Sequence, residues 1–213
     1  MIGGLALSLA LSHPDVGRVT SIGRRPTGEQ GSMLREILHD DFTDFQPVED
    51  SLKGHDAAFY CLGVYTGAVP DVEFQRITVD YTATFARALF AGSPGAAFCF
   101  LSGQGADQTE KSRVAFAKYK GMAENQLLSI GFPRTHIFRP GYIYPVTPRD
   151  EPNISYRIMR SLYPVVRRIY PNIGVSSEDL AKAMFRAGLD GTPGHPSPIL
   201  ENRDIQEFVA DEA

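Results

Sequence analysis

Short, nearly continuous apolar runs alternate along the chain with segments whose apolar residues recur every three or four positions. VTSIG at Val19–Gly23 reads as a short strand, and residues 37–39 begin a second. AAFYCLG at 57–63 is continuous, apolar and closed by glycine, the pattern of a strand buried on both faces, and AAFCFLS at 96–102 repeats it. HIFR at 136–139 is a further strand, stopped by Pro140-Gly141. Between these runs, residues 71–91 put Phe74, Ile77, Tyr81, Phe85 and Leu89 on one stripe of a long helix, and 112–130 form another. Strand and helix in alternation, with strands apolar throughout, predict an α/β fold: a parallel sheet covered on both faces.

The two ends read differently. MIGGLALSLALS carries Leu5 and Leu9 among small residues at helical spacing, and ends near His13-Pro14. It reads as a helix rather than a secretory signal, because no Lys or Arg precedes it and Gly3-Gly4 interrupts it. After Pro145, residues 145–152 (PVTPRDEP) form a loop. Residues 154–170 are a basic amphipathic piece broken at Pro164, read as packing on a pocket with solvated arginines rather than lying on a membrane. Ser176 caps a helix with Asp179 three residues on. That helix runs to about Leu189 and closes at Gly191. Residues 198–201 form a short strand before a last helical turn.

Composition narrows the function classes. Hydrophobic residues make up 43% and charged residues 22%, enough for a core. The formal net charge of −4 offers no global field for nucleic acid, and no run approaches the roughly 18 apolar residues of a membrane span. Cys61 and Cys99 fall in neighbouring strands and read as two buried thiols rather than a redox pair. A soluble, cytoplasmic protein with no metal site is expected.

In an open parallel sheet, ligands sit beyond the carboxyl ends of the strands. Arg24 and Arg25 follow the first strand, where two guanidiniums suit a phosphate and an acid would suit a free ribose diol. This tip favours NADP over NAD. Asp41 and Phe42 follow the second strand, where carboxylate and ring could flank an adenine. Leu62 and Gly63 close the third, in a glycine-bounded loop that permits close backbone approach. Ser102 ends the fourth, where its hydroxyl could meet a substrate carbonyl. Lys120 shares a helix face with Phe116 and could reach ribose hydroxyls. Pro140, Gly141, Tyr142 and Ile143 make a turn whose backbone could meet a nicotinamide.

The ordered set GRRP, DDF, YCLG, FLSGQGAD, FAKYKGMAEN and FRPGYIYP resembles the atypical, extended-type short-chain dehydrogenase/reductases. It is most similar to the NAD(P)-binding epimerase/dehydratase-like branch that includes the Tat-interacting oxidoreductase-like proteins. The resemblance implies a Rossmann-like, doubly wound sheet of strand order 3-2-1-4-5-6-7. It implies a dinucleotide across the strand tips, an unidentified small-molecule substrate and a small C-terminal α/β cap. Residues 1–145 would bind the nucleotide and 146–213 form the cap. Pairing of two copies through residues 71–91 and 112–130 is also implied. Family members open with a strand and a turn resembling GATGxxG. Here only Gly3 matches the third glycine, so the central strand and the pyrophosphate-cradling turn are expected to be missing.

A second departure is chemical. The family pattern is Tyr-x-x-x-Lys with a Ser at the preceding strand tip. Ser102 and Lys120 match, but the tyrosine position holds Phe116. Phenylalanine cannot give or take the substrate proton, a loss typically of about 10²–10⁴ in rate. Tyr119 points roughly 100° away from Lys120 on a helix. Three readings follow: a nucleotide-holding protein weak in standard oxidoreductase chemistry, acting as a binding or sensor protein that meets another protein; an active oxidoreductase or epimerase using Tyr65 or Tyr142; and a non-catalytic fragment.

Overall fold

A computed structural model of the chain describes residues 1–146 and 174–210. Helix α1 (Ile2–Ser12) precedes two parallel strands, β1 (Val19–Gly23) and β2 (Leu34–Leu38), which pair Val19 with Leu34 through Gly23 with Leu38. Four more strands form a second parallel group: β3 (Ala57–Tyr60), β4 (Ala97–Leu101), β5 (Arg134–Arg139) and β8 (Ile199–Glu201), in the order β3-β4-β5-β8. A pair of three-residue strands, β6 (Tyr142–Tyr144) and β7 (Gly174–Ser176), stands apart. The orders β2-β1 and β3-β4-β5-β8 each match a stretch of the expected order, and residues of β1 and β3 line one cavity.

Side chains alternate between two apolar layers, as strand geometry requires. Tyr60, Phe98, Phe100 and Ile137 join one cluster with Phe45 and Leu127, and Cys99, Phe138 and Leu200 join the other with Leu180 and Met184. Helices α3 (Tyr81–Gly92) and α4 (Ala115–Ile130) cover the first face. Helices α1, α5 (Ser177–Asp190) and α6 (Asn202–Ala210) cover the second. Full burial of a residue such as Phe98 or Phe138 contributes about 1.5–3 kcal/mol. The Ser176 hydroxyl accepts from the Asp179 N–H at 3.0 Å, the cap the sequence suggests. Gly191 then ends the helix at φ 76°, its N–H donating to the Ala187 carbonyl.

Several bounds differ from the sequence reading. β2 starts at Leu34 rather than near Ile37, because its pairing with β1 begins there. β3 ends at Tyr60, opposite Phe100, and residues 61–63 run past the last paired position. The long helix is α2 (Asp71–Gln75), a π-helical turn (Arg76–Asp80) and α3. Phe74 and Val79 pack with Tyr119 in a third cluster, whereas Ala86 and Leu89 join the first, so one helical stretch serves two patches of core. Most of the Pro-rich loop and the basic piece at 154–170 lie outside the described residues. Cys61 and Cys99 are free thiols, and burial pushes that of Cys61 up to about 12.

Candidate functional site

At the β1 tip, Arg24 and Arg25 are exposed. The chain beyond folds back on β2, where the Thr27 N–H donates to the Glu36 carboxylate at 2.7 Å. After β2, the Asp41 carboxylate accepts from the Thr43 hydroxyl at 2.5 Å and N–H at 2.9 Å, bonds that hold it below its usual range. Phe42 is only 4% exposed and stacks on Tyr81 with centroids 5.7 Å apart. The adenine-flanking expectation is corrected for this ring, which the core claims.

Glycines keep the neighbouring tip open. Gly4 and Gly63 have nothing within 4 Å of the place a Cβ would take, and at Gly3 that place is 3.3 Å from the Cys61 Cβ. Leu62 is half-buried against the first apolar cluster. α1 begins here with no side-chain cap on its first N–H groups and no acid in its first turn. Small, open and uncapped, this corner fits an anion, and the exposed arginines lie at the adjacent tip.

The β4 tip is tied to α4 by a buried polar network. Glu124 is fully buried and accepts from four donors: Ser102 Oγ at 2.5 Å, Gln108 Nε2 at 2.9 Å, Arg139 Nε at 2.9 Å and Arg139 Nη2. Arg139 also lies 3.6 Å from Glu201 on β8. The Ser102 proton is therefore committed to Glu124. Lys120 Nζ donates to the Leu101 carbonyl at 2.9 Å and lies 4.8 Å from the centroid of the Phe100 ring. Burial pulls its pKa down to about 8, against the opposing pull of Glu124.

Phe116 aims its ring tip at Gly103, where a Cβ would sit 2.5 Å from the Phe116 Cζ. Gly103→Ala should therefore lower stability by about 1–3 kcal/mol through overpacking, measured by urea unfolding. Tyr119 turns away, its hydroxyl donating to Asp71 at 2.7 Å. The Tyr142 hydroxyl is buried and Tyr65 is exposed.

The Pro140–Ile143 turn is occupied internally. Its Pro140 carbonyl accepts from the Gln104 N–H and its Gly141 N–H donates to Asn202 Oδ1, both at 2.9 Å. Tyr142 pairs with Gly174, and Ile143 packs on the second cluster. The expected backbone contact with a nicotinamide is thus corrected for the Gly141 N–H. Glu124, Arg139, Gln108 and Asn202 escaped the sequence reading. The available signal was a glutamate four residues after Lys120 on a helix face that meets the sheet.

The lysine carries a pH signature. Its folded pKa lies below the unfolded value of 10.5, so the unfolded chain binds more protons between about 8 and 10.5. Stability from this residue rises with pH across that window. Lys120→Met should remove the rise, read as the wild-type minus variant difference in urea midpoint from pH 7.5 to 10.

A parallel sheet with helices on both faces, its two halves in the order β2-β1 and β3-β4-β5-β8, defines a Rossmann-like α/β protein. Solved structures agree in fold. WbmG of Bordetella bronchiseptica, in complex with NAD, superposes with a TM-score of 0.63 at 14% identity, over 100% of this chain and 74% of that one. The short-chain dehydrogenase/reductase YIR035C of Saccharomyces cerevisiae gives 0.67 at 15%, over 97% and 94%. No family model matches the sequence. HTATIP2 of Rattus norvegicus is 28% identical over 144 residues, 66% of this chain and 58% of its own length, so the match spans less than two thirds of that relative. Mitochondrial fmp52-1 of Aspergillus oryzae is 25% identical over 91% of this chain and 84% of its own length. In sequence the chain is similar to HTATIP2 and Fmp52, and in fold to solved short-chain dehydrogenase/reductase and NAD-bound structures. The cytoplasmic expectation is overturned, because the Fmp52 relatives are named as mitochondrial proteins.

Proposed function

We propose that this chain is a mitochondrial protein that holds NADP across its strand tips and lacks the proton donor of ordinary carbonyl reduction. Phe116 carries the reading: a hydrocarbon ring packed on Gly103 stands beside Lys120, where the family resemblance expects a phenol. Arg24 and Arg25 would hold the 2′-phosphate, and the absence of an acid at either position favours NADP over NAD. Gly3, Gly4 and Gly63 leave room for the diphosphate, and Lys120 has two further N–H groups for ribose hydroxyls. When bound, the nicotinamide supplies or accepts a hydride. The chain's own part is to bind and orient it, with Ser102 engaged by Glu124.

The double variant Arg24→Ala/Arg25→Ala should weaken NADPH binding about tenfold or more and leave NADH little changed, measured by fluorescence titration. Equal losses for both nucleotides would remove the 2′-phosphate role. Ready turnover of simple aldehydes and ketones with NADPH would overturn the non-reducing part. Loss of that turnover in Tyr65→Phe would then assign the proton to Tyr65.

A further inference from the structure

A cavity of about 440 Å³ lies at the other end of the sheet, by the amino ends of β5 and β8. The loop at 191–198, which joins α5 to β8, forms one side of it. That volume falls in the range of small-molecule sites, about 300–1,000 Å³. The wall is divided. One part is hydrocarbon: Leu128 and Phe132 with three prolines. The other is polar: Arg134, His136, His195 and three hydroxyl residues, among them Thr192. No carboxylate belongs to the described lining.

Local structure places these groups. Arg134 and His136 are two apart on β5, so their side chains leave the same face of the sheet. Arg134 Nη1 donates to the Leu189 carbonyl at 2.9 Å, near the end of α5. Among the described residues this is the one hydrogen bond of a guanidinium that carries five N–H groups. Thr192 Oγ1 lies 3.4 Å from His136 Nδ1. The Nδ1–H of His195 donates to the Ser197 carbonyl at 2.8 Å and braces the loop. Asp204, outside the lining, is 3.6 Å from His195 Nε2, and its other oxygen accepts from the Glu201 N–H at 2.8 Å.

Two observations point to a ligand. His136 is only 5% exposed, yet its Nε2 has no hydrogen-bond partner, and buried polar atoms are nearly always paired. Burial, reinforced by Arg134 and His195, also pulls the pKa of this ring down to about 4. The ring is therefore neutral at pH 7, and Arg134 is a fixed positive charge with no carboxylate in the wall to match it. A planar guanidinium fork fits the two oxygens of a carboxylate.

We propose that this pocket binds a small organic carboxylate with a flat hydrocarbon body. Arg134 and the Thr192 hydroxyl hold its head, and Leu128 and Phe132 take its body. One fixed positive charge matches a monoanion, which favours a carboxylate over a doubly charged phosphate. The site lies away from the strand tips and does not rest on the NADP reading.

Benzoate is the probe, with benzamide as its uncharged isostere and phenyl phosphate in parallel. Each is titrated into the whole chain at pH 7, and the ring signals of His136 and His195 are followed by NMR. Benzoate should shift both signals saturably and bind at least tenfold more tightly than benzamide. Arg134→Met should weaken benzoate about tenfold or more. Because Arg134 also holds the Leu189 carbonyl, Thr192→Val is made alongside and should weaken benzoate about threefold with that bond intact. Equal affinity for benzamide would overturn the proposal, marking an apolar groove. Tighter binding of phenyl phosphate than of benzoate would overturn the carboxylate assignment. Unchanged benzoate affinity in Thr192→Val and in a folded Arg134→Met would remove the head-group site. Ring signals that stay still at the highest soluble benzoate concentration would overturn the proposal outright.

Discussion

Replacing Glu124 with alanine should lower the unfolding midpoint by roughly 6–20 °C. The carboxylate is fully buried and holds Arg139, Ser102 and Gln108 together. Breaking a buried pair from one side costs about 3–5 kcal/mol, because the remaining charge is left uncompensated. For a domain of this size each kcal/mol moves the midpoint by about 2–4 °C. Changing Arg139→Met together with Glu124→Leu should recover most of the loss, since burial rather than the pair's net strength sets the penalty. Calorimetry of the parent chain and the two variants decides the matter. If the double variant falls as far as the single, Glu124 matters for shape rather than charge. Surface pairs such as Lys53–Asp50 offer the contrast: both partners are well exposed, and Asp50→Ala should leave the midpoint nearly unchanged.

Phe116→Tyr should create carbonyl reduction about 10²-fold above the parent chain. A positioned acid is worth about 10²–10⁴. The lower end is expected because the ring tip points at Gly103, so a new hydroxyl must push that loop aside. The same push should reduce stability by about 1–3 kcal/mol. The neighbouring lysine, lowered to about 8, stands close to the added phenol's helix face and can favour its ionisation. Steady-state NADPH oxidation with a panel of aldehydes checks this. A variant that still binds NADPH yet gains nothing would show that the missing phenol is not what limits the site.

The sequence carried the sheet well because its strands announce themselves. AAFYCLG and AAFCFLS are too apolar for a surface and too short for helices, and the glycines at or after their ends mark the tips. What escaped was everything set by contact across the fold. Nothing in DDF tells whether Phe42 faces a ligand or the core, and packing against Tyr81 settles it. Glu124 and Arg139 sit on different elements, 15 residues apart, and their pairing is invisible to periodicity. β6 and β7 are three residues each and pair across a long interval, below what a pattern of apolar positions can signal. The π-helical turn likewise preserves the apolar stripe while shifting where it lands.

Thermal unfolding of the whole chain with saturating NADPH, and with NADH in parallel, reads whether the strand tips hold a nicotinamide dinucleotide. At about 100 times its dissociation constant a ligand adds ~2.7 kcal/mol, a rise of roughly 5–10 °C here. A rise with NADPH that exceeds that with NADH at equal concentration is the expected result. No shift with either nucleotide would contradict the claim that these strand tips hold a nicotinamide dinucleotide.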